Sequence, residues 1–275
     1  MKIFEILDKE NNLSIGALLY YEKSRTFVIE LQDSLDEWTA PLLLTSFVKK
    51  GIFTIPREIS ALWVKERIIP SGRQNIDAIL KTHKLREYDE MKLLELSGGR
   101  CSQDGLYIKK ISELPEYVTV RMRRNLFDCI PCEDRRLLCF FADGIIKMVD
   151  LHDLSVRAEE NVCVAATEIE KILRNDALYR SGKITAGGYS VTFNDSIDIP
   201  ASALYGRGVL IPLRHDDFLS FLKSNVLDTT QTCGILQCSR QNLAYMVEQK
   251  KLAPVKEDVR GSLYLKGDVL RANFD

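Results

Sequence analysis

The chain is poor in the features that mark an enzyme or a membrane protein. It has three histidines, His83, His152 and His215, far apart in sequence. No Walker motif, no G-x-G-x-x-G and no kinase-like Asp/Asn loop is present. Nothing supplies a nucleophile with its base, so no enzymatic activity and no cofactor are expected. The longest apolar runs, around Pro41–Leu44 and Leu137–Phe141, are too short to span a bilayer. The opening Met1–Asp8 is broken by charge too early for a secretory h-region. A cytoplasmic protein without membrane contact is expected, and its seven cysteines should be reduced thiols. An excess of positive charge is also lacking: 38 basic residues face 39 acidic ones. The chain as a whole does not attract nucleic acid, so any such binding needs a local patch.

What is present is 275 residues of globular composition, 45% hydrophobic and 28% charged. That suits two or three domains. The expected class is multidomain α+β, with a small α/β domain at 1–112, a mainly β domain at 117–212 and a helix-turn-helix with a wing at 226–275. Ile15–Tyr21 and Arg25–Leu31 have hairpin spacing. Ser60–Glu66, Arg73–His83 and Glu87–Leu96 carry apolar residues at helical spacing, and Leu106–Ile111 reads as a strand. Tyr117–Phe127, Arg136–Phe141 and Ile145–Asp150 are strand candidates, the last two joined by an Asp143-Gly144 turn. Thr167–Leu178 reads as a helix. Gly187-Gly188 separates two further short strands, Lys183–Ala186 and Tyr189–Phe193. Ile199–Leu204 reads as a short helical turn, and Asp216–Ser224 as a linking helix.

The densest information lies in Thr229–Val247. Thr229 or Thr230 can cap a helix with Cys233 and Leu236 inward. Ser239 can cap a second helix with Leu243, Met246 and Val247 inward. Arg240, Gln241, Asn242 and Tyr245 are then outward, near the N-terminus that a recognition helix presents to base edges. Arg suits guanine, and Asn or Gln suits adenine. Ser239 and the helix N-terminus suit a phosphate. Val255–Val259 and Ser262–Leu265 form a hairpin turning through Arg260-Gly261, and Lys266–Leu270 begins a last helix. Across 226–275, seven basic residues meet six acidic ones, a thin excess for a DNA binder.

This order, with Cys238-Ser239-Arg240, Lys251-Leu252-Ala253-Pro254 and Tyr264-Leu265-Lys266-Gly267-Asp268, resembles the excisionase and MerR-type winged helix-turn-helix family. The resemblance implies double-stranded DNA as partner. It places Ser239, Arg240, Gln241, Asn242 and Tyr245 in the groove, with Lys256 and Arg260 on the backbone. The middle segment, through Phe140-Phe141-Ala142-Asp143-Gly144-Ile145-Ile146, Asn175–Tyr179 and Gly187–Pro200, is similar to domain of unknown function 2442. That likeness implies protein binding, with a toxin-like partner. Arg67–Ile76, Leu85–Asp89 and Leu93–Cys101 resemble the N-terminal domain of HipA-type proteins. The catalytic domain of those kinases has no counterpart here, so kinase activity is not implied. Together these point to an antitoxin-like bacterial or phage transcriptional regulator whose upstream domains form a homodimer or hold a partner. The alternative is an interaction module, an antitoxin or phage-encoded inhibitor, that acts mainly on another protein.

Other constellations read as structure. Cys129-Ile130-Pro131-Cys132 lacks the βαβ context of a redox pair, and Cys233/Cys238 has the wrong spacing to complete a zinc site, so no metal is expected. Asp143 and Asp195 fall at turns, where Asp is common, and with Asp150 and Asp198 they do not make a convincing cluster. Arg67, Arg73 and Arg100 read as solvated or ion-paired arginines.

Overall fold

The protein, described from a computed structural model over residues 1–156, 165–259, 261–265 and 269, divides into two compact units. One comprises Met1–Asp143 and Lys147–Leu210; the other comprises Gly144–Ile146 and Ile211–Asp275. The class is mixed α/β with several antiparallel sheets. No helix among the described residues is long and apolar enough to cross a membrane.

The larger unit begins with strands β1 (Lys2–Asp8), β2 (Leu13–Tyr21) and β3 (Thr26–Leu31). A one-turn helix α1 (Thr45–Val48) leads to β4 (Thr54–Ile55). Helices α2 (Arg57–Lys65), α3 (Ile76–Thr82) and α4 (Glu90–Ser97) precede β5 (Leu106–Ile111). The strands form one sheet in the order β4-β3-β2-β1-β5. β1 is a central strand with antiparallel neighbours on both sides. Residues of β2 alternate between two faces. Leu18 and Tyr20 join Trp63, Val64, Met91 and Leu94 in one core, and a bulge opposite Ile6 and Leu7 shifts the alternation so that Ile15 joins them. Ala17 and Leu19 pack with Val28 and Val118 in another. A sheet covered on both sides explains why β2 reads as a continuous apolar run.

Val118 comes from helix α5 (Glu116–Met122), so the first part of the strand expected over Tyr117–Phe127 is helical. Pro115 opens this helix, Glu116 stands in its first turn, and burial of Val118 overrides β-propensity. The strand comes later, as β6 (Leu126–Pro131), followed by β7 (Arg136–Phe141) and β8 (Ile146–Asp150). Helices α6 (Leu151–Val156), α7 (Ala166–Arg174) and α8 (Asp176–Arg180) follow. The single helix expected over 167–178 is two, because Asn175 leaves the helical region and its side chain caps α8 through the Leu178 amide. β9 (Lys183–Ile184), β10 (Ser190–Phe193) and β11 (Ile197–Pro200) make a small sheet, with β10 central. Residues 197–200 are therefore extended, and helix α9 (Ala201–Arg207) starts only after Pro200. β12 (Val209–Ile211) joins a second sheet in the order β12-β8-β7-β6. Phe141, Ile172, Val191, Phe193, Ile199 and Leu204 lie in the core these elements enclose.

Two arginines join the halves of this unit. Arg57 of α2 pairs with Asp198 of β11, Nε to Oδ2 at 2.8 Å and Nη2 to Oδ1 at 3.0 Å. Arg121 of α5 donates to Glu30 Oε2 at 2.7 Å and to the Leu31 carbonyl at 2.7 Å. Each guanidinium bonds at several points at once, as its forked donors favour.

The smaller unit holds α10 (His215–Asn225), β13 (Val226–Leu227), α11 (Thr229–Leu236) and α12 (Arg240–Glu248), then the hairpin β14 (Lys256–Val259) and β15 (Gly261–Leu265). β15 lies between β13 and β14. Leu227, Leu243, Leu252, Tyr264 and Val269 form its core.

Candidate nucleic-acid interface

The surface formed by α11, α12 and the hairpin is built from the caps outward. Asp228, and neither Thr229 nor Thr230, caps α11. Its Oδ1 accepts from the Gln231 amide at 2.7 Å, and Gln231 Oε1 accepts from the Asp228 amide at 3.1 Å. This reciprocal box outcompetes a lone threonine cap. Thr232 is the fully buried residue of α11, its hydroxyl donating to the Asp228 carbonyl at 2.7 Å. Cys233 and Leu236 lie half-buried against the core. Gln237 then adopts the left-handed region, φ 50°, and closes α11. Ser239 caps α12 as expected, accepting from the Asn242 amide at 3.2 Å.

Leu243 is buried, and Met246 and Val247 are half-buried beside it. Ser239, Arg240, Gln241, Asn242 and Tyr245 are all exposed. At about 100° per residue, Gln241 and Tyr245 lie opposite Leu243, with Arg240 and Asn242 on the flanks. Arg240 leans back toward α11, donating to Thr230 Oγ1 at 3.3 Å. Glu248 lies on the same outward face one turn beyond Tyr245 and is exposed. Lys256 is exposed on β14. Arg260 and the expected last helix over 266–270, Val269 excepted, lie outside the described residues.

The arrangement offers neutral hydrogen-bonding groups at the centre of an exposed helix face and cations at its margin. Thr230, read from the sequence as a possible cap, instead accepts from Arg240. Cys238 is half-buried, and burial beside Cys233 pushes its thiol up, away from the thiolate a metal needs. No group of three or more His, Cys, Asp or Glu among the described residues is placed to hold a metal. Cys129 lies opposite Cys139 across β6 and β7, their sulfurs 3.8 Å apart. Arg67 is buried, stacked 3.7 Å from the Trp63 ring and paired with Asp104. No family model, curated protein or solved structure matches the chain.

Proposed function

We propose that this chain is a DNA-binding transcriptional regulator whose smaller unit is a winged helix-turn-helix. The observation that carries the reading is α12. It is a helix capped by Ser239, with a polar, exposed N-terminal half set on α11 and followed by a hairpin that carries Lys256. Gln241 and Tyr245 would face base edges. Asn242 and Arg240 would reach the groove walls, and Ser239, Lys256 and Arg260 the phosphates. A homodimer would place two such helices on half-sites about 34 Å apart. The chain would serve as the antitoxin-like member of a pair, held in the cytoplasm and free of catalysis.

The test is a binding assay on the gene's own upstream DNA over a range of salt. Gln241→Ala and Asn242→Ala each weaken selective binding by about 1–3 kcal/mol and relax specificity. Lys256→Ala weakens all sequences alike and lowers the salt slope by about 1. Absence of any sequence-selective shift overturns the proposal.

Glu248 favours a second reading. A carboxylate on the outward face of α12 repels phosphate and suits a basic protein partner instead. A stable protein complex without DNA preference, lost in Glu248→Lys, would establish it.

A further inference from the structure

The larger unit contains a cavity of about 700 Å³ between the face of β3 and β4 and the surface made by α5, β10 and α9. The size lies within the range of sites that hold small organic molecules, about 300–1,000 Å³. Its walls are mainly apolar, with Ile52, Phe53, Val120 and Ala201 among them. Most polar groups there are already engaged. Arg57 is held by Asp198, Arg121 by Glu30, and Asn125 donates to the Gly187 carbonyl at 2.9 Å.

Arg124 is different. It lines the cavity, is exposed, and has its guanidinium 5.4 Å from the Tyr205 ring centre. Among the described residues no carboxylate reaches it. A guanidinium stacked on an aromatic ring and lacking an anion is preorganised to receive one. A second observation concerns the wall itself. Tyr189, half-buried and part of the lining, has its hydroxyl enclosed beside the Tyr21 hydroxyl and the Glu30 carboxyl, and these three groups interact with one another. Glu168, also in the lining and without a cation, disfavours a ligand of high negative charge.

We infer that this cavity is a binding site for a small organic monoanion, a carboxylate or its equivalent on a planar apolar body. Its charged end sits at Arg124 and its body lies against Phe53 and Val120. The inference stands apart from the DNA-binding reading and survives its failure. The probe is 8-anilinonaphthalene-1-sulfonate, a monoanion on an aromatic body, titrated into the full chain by fluorescence. N-phenyl-1-naphthylamine serves as its uncharged counterpart. Saturable 1:1 binding of the sulfonate is expected. Arg124→Gln weakens the sulfonate by about tenfold and leaves the neutral amine unchanged. Val120→Trp, which fills the cavity from a half-exposed position, weakens both probes. Unchanged melting of each variant without probe establishes that the fold is intact. If Val120→Trp does not fold, Arg124→Gln alone decides. No saturable binding, or sulfonate binding indifferent to Arg124→Gln, overturns the site.

Discussion

Glu30 is a carboxylate sealed from solvent, with Arg121 and Thr54 on one oxygen and the Tyr189 hydroxyl beside the carboxyl. Burial raises its pKa, and this outweighs the opposing pull of Arg121 and Thr54. With the native value above the ordinary 4.5, the stability it contributes is complete below that pH and is lost as pH rises through the native value. The stability advantage of the wild type over Glu30→Gln should therefore shrink as pH rises above the ordinary carboxylate range in denaturant titrations. An advantage that grows with pH would mean that the Arg121 attraction dominates. Burial likewise pushes Tyr117 and Tyr179 up to about 12, and Tyr189 well above its ordinary value. Gly188 presents another constraint at this scale. Its φ is +69°, and a Cβ there would stand 1.9 Å from the Leu126 carbonyl. Gly188→Ala should destabilise the larger unit by at least about 1–3 kcal/mol in equilibrium unfolding. Gly187-Gly188 was legible in the sequence as a turn. The close approach of a distant strand was not, because only the tertiary fold brings Leu126 there.

At the scale of elements, caps and breakers decide where helices stand. Ser239 was legible because a hydroxyl stood before a run with Leu243, Met246 and Val247 on one side. Asp228 was passed over for its two threonine neighbours, although Gln231 three residues on completes the box. Asp228→Ala and Ser239→Ala should each lower the stability of the smaller unit by about 1 kcal/mol in thermal melts. Ser239→Asp keeps the cap and places a negative charge at the helix start. It should melt like the wild type and, under the proposed DNA-binding function, bind DNA more weakly, which separates fold from recognition. The strand assigned to 117–127 failed for the reason that local preference is weak beside burial. Tyr117, Val118 and Thr119 favour extension, but one buried Val118 on an already paired sheet requires a helix there. β1 went unread because Ile3-Phe4 and Ile6-Leu7 occur as doublets. Doublets arise when both faces of a strand are covered, and they erase the alternation by which strands are found.

The whole molecule is organised by contacts that composition does not reveal. Sequence patterns separated residues up to 112 from those after 117, since their periodicities differ. Within one compact unit, however, Val118 fills the sheet of the first segment, and Arg57 reaches Asp198 in the second. Long-range pairs of this kind leave no local signature. Amides of β2 and β10 should accordingly lose protection together in native-state hydrogen exchange. A large difference in their opening free energies would show that the two segments fold separately. The connection between β5 and α5, residues 112–115, is short; Leu114 packs beside Val118, while the Arg57 and Arg121 pairs are made elsewhere. Those pairs do not depend on chain continuity there. A protease cut there should yield two fragments that still travel as one particle on a sizing column, and fragments made separately should find one another as a split protein does.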